Sequence, residues 1–320
     1  MISPQLSVVI AAIDDYSIVE QVHLCLEHQT IRPTLELIFV CRTMASLALP
    51  DGFREAYPDA IIVEAGDHAL LNEAREAGVR RASTLYALII EDHCLPFPDC
   101  LEHMLARLQE GWTAVGPAFV SGNTVSHVGI AANVLTYGQW MGWTEGGPRS
   151  FVAGYNSAFA VKVLLARGPR LTDDLIAPST LQMSLAREGH RFYFEPRARM
   201  AHWEASTFEG VRSILSGNGR GLGMLRARHW SVFRKIAVSV LNPLLIAHRV
   251  VRAIGTMMRL GERSVAVMLY LPALSALWSL AELRGYWCRH PREAVEGVSM
   301  VESNRLRFVD ATREPIRKPY

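Results

Sequence analysis

The sequence predicts an α/β protein built on a doubly wound, mostly parallel sheet. Three observations carry this reading. Short apolar runs rich in β-branched residues recur through the first 115 positions. Segments with helical spacing of apolar residues separate them. Half of the 320 residues are hydrophobic and a fifth are charged, enough apolar surface for a large core. Strands that alternate with helices form parallel sheets covered on both faces.

The elements follow in order. Leu6–Ala12 (LSVVIAA) reads as a buried parallel strand, and residues 17–28 follow it with Ile18, Val22, Leu24 and Leu26 at helical spacing. Leu35–Cys41 and Ala60–Glu64 are the second and third strands. Residues 70–82 (LLNEAREAGVRRA) form a helix before the fourth strand, Leu85–Ile90. Pro98–Gly111 is a helix with Asp99 as its cap, and Thr113–Val115 begins another strand. Ligands of such sheets bind beyond the carboxyl ends of the strands. The residues just after Ala12, Cys41, Glu64 and Ile90 are therefore the first places to look.

Residues 121–156 are rich in Gly, Asn, Thr and Trp with little periodicity, which predicts loops over a site rather than a second core. His190–Glu195 alternates like a strand, and Pro196 is expected to end it. SGNGRGLG (216–223) lacks the preceding strand of a dinucleotide fingerprint and reads as a flexible connector. These changes divide the chain into 1–205, an apolar, basic helical region 206–297, and a polar tail 298–320 expected to be disordered.

Cysteine usage and charge narrow the function classes. The five cysteines form no CxxC pair, which argues against a disulfide scaffold or zinc ribbon. MISPQLSVVI lacks the basic start of a signal peptide, so the N-terminal part is expected to face the cytoplasm. Net charge is only +2, but residues 1–204 hold 15 basic and 23 acidic side chains, against 18 and 8 in 205–320. Between 211 and 263 stand ten basic residues and one acid, Glu262. That segment faces something anionic: nucleic acid, phospholipid or a phosphate-bearing substrate.

The chemistry concentrates after the fourth strand, which runs straight into Glu91-Asp92-His93. Carboxylates at the carboxyl end of a buried strand suit a divalent cation on a substrate's phosphates. The plain alternative is a loop acid that caps a helix. Farther along, PRARMAH (196–202) follows a strand and ends in His202, and Gly154-Tyr155-Asn156 forms a small-residue turn where a ligand can approach the backbone.

In this order the pieces resemble a family 2 glycosyltransferase with the GT-A fold, from about Leu6 to Arg228. LSVVIAAIDD resembles the first strand and nucleotide-contacting turn, and LNEAREAGVRRA the helix before the metal strand. LIIEDHCLPFPDCLEHML resembles the acidic metal motif, AGYNSAFAVKVLL the acceptor-side turn, and GHRFYFEPRARMAHWEAS the strand ending in a metal-associated histidine. The Glu-Asp-His form followed by AVGPAF is most like a bacterial branch of surface or exopolysaccharide synthesis.

The resemblance implies transfer of a sugar from a nucleotide-diphosphate donor to a glycan or lipid-linked acceptor, with inversion. Mg²⁺ or Mn²⁺ would sit on Asp92, with Glu91 and His93 flanking and His202 approaching the same ion. Ala12, Asp14 and Asp15 would contact the nucleotide, and Gly154, Tyr155 and Asn156 would face the acceptor. Two departures stand out. Cys41-Arg42 replace the acids that relatives carry after the second strand, and the base position falls on Ala177-Pro178-Ser179. Asp173 and Asp174 are the nearest acids. Either they supply the base through a shifted loop, or the chain is a catalytically degenerate binding or scaffold subunit of a polysaccharide assembly complex.

The C-terminal helices have their own reading. Residues 236–259 place His248, Arg249, Arg252 and Arg259 on one helical face and Ile246, Val250, Ile254 and Met257 on the other. Residues 265–281 carry no charge and include Pro272, a run at the short limit for a membrane span. A peripheral anchor on an anionic membrane is the favoured reading, which places the protein on the cytoplasmic face of the inner membrane, or else in the cytoplasm. The alternatives are helices packed on the catalytic domain, a dimer interface, or a true span. Nucleic acid fits less well, because the arginines alternate with long aliphatic runs rather than exposed aromatics.

Overall fold

A computed structural model describes residues 3–13, 15–176, 178–288, 296 and 309–310. Asp14 and most of the tail from 298 lie outside the described residues. The chain divides into two compact units, Met1–Val120 with Thr144–Ala201 and Ser121–Trp143 with His202–Arg317.

The first unit is built as the apolar runs require. In chain order it opens with β1 (Leu6–Ala11), α1 (Tyr16–Glu27), β2 (Leu35–Cys41), α2 (Met44–Leu47) and α3 (Phe53–Ala56). Then come β3 (Ile61–Glu64), α4 (Leu71–Arg81) and β4 (Tyr86–Ile90). These four strands pair in parallel, β1 between β2 and β4 and β3 outside β2. All of β2 is buried, as a parallel strand covered on both faces must be. Gly78 lets α4 lie flat on the sheet: a Cβ there would meet Val9 Cγ1 at 2.3 Å.

Past β4 the chain forms β5 (Cys94–Pro96), α5 (Cys100–Gln109), β6 (Ala114–Ser121), α6 (His127–Tyr137), β7 (Gly147–Arg149) and β8 (Ser157–Ala160). Three helices, α7 (Val161–Leu165), α8 (Leu171–Asp174) and α9 (Pro178–Arg187), lead into β9 (Phe192–His202). The described strands form one mixed sheet in the order β3-β2-β1-β4-β8-β6-β9-β5, with β7 on β9. It is parallel from β3 to β4, and β8 runs antiparallel to both β4 and β6. Asp99 stands at the cap position of α5, but its side chain makes no capping bond.

Pro196 does not end its strand, contrary to the sequence expectation, and β9 continues to His202. The ladder with β7 spans only Phe192–Phe194. Just beyond it, Glu195 Oε1 takes the Arg197 N–H at 3.1 Å.

The second unit corrects two further expectations. Residues 121–156 are not only loops. Ser126 caps α6, which buries Val128, Ala131, Ala132, Val134 and Leu135 in a separate core. Apolar and small residues occupy almost every position of that helix, which erased the periodic signal. SGNGRGLG is not a connector but part of α10 (Phe208–Ala227). After it come α11 (Val232–Val240), α12 (Asn242–Leu260) and α13 (Val265–Tyr286). The glycines let α10 and α13 touch backbone to backbone. A Cβ on Gly223 would lie 2.2 Å from the Glu282 carbonyl oxygen, and one on Gly285 2.2 Å from that of Arg220. Spacing of four residues puts Gly219 and Gly223 on one helical face, so the sequence reads as flexibility while the packing uses it as closeness.

Candidate functional site

The end of β4 holds the densest polar group of the first unit. Glu91, Asp92 and His93 are all buried. His93 Nδ1 lies 2.6 Å from Asp92 Oδ1, and its Nε2 lies 3.6 Å from Glu91 Oε2. A carboxylate on Nδ1 holds the proton there and leaves the Nε2 lone pair for a ligand.

Asn156 holds Glu91 in place. Its Oδ1 accepts the Glu91 backbone N–H at 2.9 Å, its Nδ2 donates to Glu91 Oε2 at 2.5 Å, and its own N–H donates to Ile89 O at 2.7 Å. The residue has φ 61°, a left-handed conformation that asparagine tolerates better than most side chains. Of the three acceptor-side residues, Asn156 is therefore turned toward the acidic motif. The Tyr155 hydroxyl donates to the Leu175 carbonyl at the end of α8. Gly154 is small for a packing reason, since a Cβ there would meet Pro178 Cβ at 3.1 Å.

The sequence reading missed Arg75. It is buried on α4, its guanidinium carbon stands 3.6 Å above the Tyr155 ring, and its Nε has no hydrogen-bond partner. No carboxylate lies at ion-pair distance from it among the described residues. Helix periodicity alone made it an ordinary surface arginine. Only the fold shows a buried cation awaiting a counter-charge.

The other expected nucleotide contacts gather at the carboxyl ends of β1 and β2. Ala12 donates its N–H to Val40 O at 2.8 Å. Asp15, Tyr16, Ser17, Glu20, Ala48 and Pro50 line an open cleft of about 390 Å³. Arg42, which stands where acids were expected, donates Nε to Ala69 O at 3.3 Å.

Asp173 and Asp174 both lie on α8, which is tied to α4 by Asn72 Nδ2 donating to Thr172 O at 3.1 Å. Asp174 accepts from Arg167 Nε at 2.7 Å, whereas Asp173 is exposed. The pair with Asp174 raises the Arg167 pKa further.

His202 is the last residue of β9, next to β5 in the sheet. Phe97 N, just past β5, donates to Arg199 O of β9 at 3.0 Å. Glu91 and His93 each offer one buried ligand atom at the end of β4. Asp92, which the sequence reading put on the metal with Glu91 and His93 flanking, bonds His93 Nδ1. A carboxylate beside an imidazole fits Mn²⁺ or a softer divalent ion better than Mg²⁺, which prefers oxygen ligands. His202 is wholly buried, with its ring 4.1 Å from that of Tyr137 and its Nδ1 2.9 Å from Asn133 Oδ1.

Residues 7–152 match the model of glycosyl transferase family 2. No curated protein matches this sequence. Among solved structures, the chain is similar to the mannosyltransferase PcManGT from Pyrobaculum calidifontis in complex with GDP-Man and Mn²⁺. The identity is 14%, the match covers 91% of this chain and 89% of that one, and the TM-score is 0.55. The likeness establishes a GT-A fold.

Proposed function

We propose, from the family 2 match over residues 7–152 and the GT-A fold, that this protein is a glycosyltransferase using a nucleotide-diphosphate sugar. The observation that carries the reading is the buried Glu91-Asp92-His93 group at the end of β4. Asp92 backs His93 and Asn156 positions Glu91, an arrangement that preorganises ligands before anything binds. Glu91 and His93 would hold a divalent ion there, which would supply charge neutralisation for the leaving diphosphate. The similar PcManGT carries Mn²⁺ and a nucleotide sugar, which supports the same donor class here.

Each residue then has a task. The nucleotide lies in the cleft beside Asp15 and Tyr16. Arg75 supplies the cation facing the donor phosphates, and Tyr155 holds its guanidinium flat. The base that takes the acceptor hydroxyl proton comes from α8, where Asp173 and Asp174 stand, with inversion at the sugar carbon. The acceptor is a glycan or lipid-linked glycan of bacterial surface polysaccharide, a reading that rests on the resemblance of Glu91-Asp92-His93 and AVGPAF to that branch. A second reading, a donor-binding subunit without transfer, is favoured by one observation: of the two nearest acids, Asp174 already has an ion-pair partner.

A panel of nucleotide-diphosphate sugars, screened by thermal shift with and without Mn²⁺, tests the donor site. A matching donor raises Tm only with the metal, by mass action. Absence of any shift across the panel sinks the reading. Binding without turnover on any acceptor favours the second.

A further inference from the structure

We infer that helices α11 and α12 form a docking surface for an anionic lipid bilayer. The sequence pattern hides this face. Of the residues expected on one basic face, Arg249 turns inward, where its guanidinium bonds Glu282 and Ser279 of α13. Arg226 also bonds Glu282, so this buried carboxylate joins three helices and leaves Arg249 unavailable for lipid. His248, Arg252 and Arg259 remain exposed.

Beside them runs an apolar stripe that helical periodicity on the inner face did not count. Leu244, Val251 and Met258 recur every seven residues and are 67%, 69% and 69% exposed. Seven residues return to nearly the same helical angle, so they make one line. Its flank is basic, because His248, Arg252 and Arg259 lie about 40–80° round the helix from Leu244 at 100° per residue.

Helix α11 continues the surface. None of its nine residues is buried, although six are apolar. Phe233, Ile236 and Val240 share a face, with Phe233 81% and Val240 73% exposed. The axis bends by 55° between α11 and α12, where Asn242-Pro243 begins the second helix. Basic groups again border the apolar face. Arg234 lies over the Trp230 ring at 4.6 Å, and Lys235 Nζ is 5.6 Å from that of the half-exposed Trp287. Apolar side chains edged by arginine, lysine and tryptophan match the depth profile of a bilayer interface.

Charge selects the occupant. Residues 211–263 carry ten basic side chains and one acid, which complements an anionic headgroup layer. A second copy of this chain would bring the same excess of positive charge to the contact. The surface holds the protein on the cytoplasmic leaflet, beside an acceptor carried on lipid. The inference stands on the second unit alone and does not depend on the donor site.

The test is co-sedimentation of the full chain with phosphatidylcholine vesicles, with and without phosphatidylglycerol. The wild type should partition onto the phosphatidylglycerol vesicles, and raised salt should release it only partly. Phe233→Asp with Val240→Asp, and Leu244→Asp with Val251→Asp, should each lower the partition constant by about tenfold or more. Tm and donor-induced thermal shifts should stay at wild-type values, since these side chains are exposed. Three results overturn the inference: no sedimentation with either vesicle, wild-type partitioning of both variants, or a salt-stable dimer that the variants dissociate without any vesicle binding.

Discussion

Asn133 Oδ1 lies 2.9 Å from His202 Nδ1, while Asn133 Nδ2 donates to the His202 carbonyl at 3.0 Å. The carbonyl can only accept, so the amide orientation is decided: nitrogen toward the carbonyl, oxygen toward the ring. Nδ1 must then carry the proton, which leaves the Nε2 lone pair for a metal. Asn133 itself is held by Ser121 Oγ and Asn123 Oδ1, each 3.2 Å from its Nδ2. Asn133→Ala should weaken Mn²⁺ binding by about 10–100-fold. Calorimetric titration of the metal without donor checks this. The expected loss of stability is about 1–3 kcal/mol, from buried groups left unpaired. Unchanged metal affinity would show that the pair only packs the helix.

The two acids of α8 should separate in kinetics. Asp173→Asn should lower kcat by about 10²–10⁴ and leave donor affinity unchanged. Asp174→Asn should keep most of the rate and lose stability on the order of 1–3 kcal/mol, because Arg167 is left buried and underpaired. Reversed outcomes move the base to Asp174. Full activity in both variants removes α8 from the chemistry.

Arg75 carries a trade between stability and binding. Among the described residues it is buried without a carboxylate partner, which is unfavourable. Arg75→Met keeps the volume and removes the charge. The variant should be as stable as wild type or more so, yet bind nucleotide diphosphates at least about tenfold more weakly. Paired thermal melts and titrations with a nucleoside diphosphate decide it, and an unstable variant with full affinity would refute the role.

The contact between α10 and α13 leaves no room for a side chain at Gly223. Gly223→Val should destabilise by more than about 3 kcal/mol, since backbone must move. Gly255 on α12 is the control, because a Cβ there meets nothing within 4 Å. Gly255→Ala should stabilise by about 0.5–1 kcal/mol. Urea unfolding of both variants measures the difference.

Acid stability should depend on Glu195. Burial favours its neutral form, but bonds from Arg197 and Arg107 and the Arg197 N–H outweigh this and bring its pKa down to about 2. A carboxyl lowered on folding binds fewer protons in the native state, so its contribution is present above about pH 4.5 and fades as pH falls through 2. The amount is on the order of 1–3 kcal/mol, reduced by the partial exposure of both arginines. Glu195→Gln should be less stable than wild type at pH 7, with the gap closing between pH 4.5 and 2 in chemical unfolding.

Much of the first unit was legible in the residues themselves. Leu35–Cys41 is apolar at every position but Glu36, which reads as a strand covered on both faces, and Glu91-Asp92-His93 had to emerge at a strand end. Local order along the chain carries such information, because a strand's neighbours and its exit point follow from the alternation of elements. The sequence by itself also determined the charge asymmetry and the apolar C-terminal run.

Only the tertiary structure decided what lies across from what. Arg75 and Tyr155 are eighty residues apart in the chain and Asn133 and His202 sixty-nine, so no spacing rule joins them. The glycines of α10 read as flexible until α13 is placed against them, because closeness is a property of two helices. Arg249 and Arg252 look alike on a helical projection, and only the position of Glu282 sends one inward and leaves the other to solvent. Residues 121–143 gave no periodic signal because small apolar side chains surround α6, and the core they fill also draws on Ala205, Val211, Met257 and Leu271, far along the chain. Non-local pairing decides these features, and a one-dimensional pattern carries no term for it.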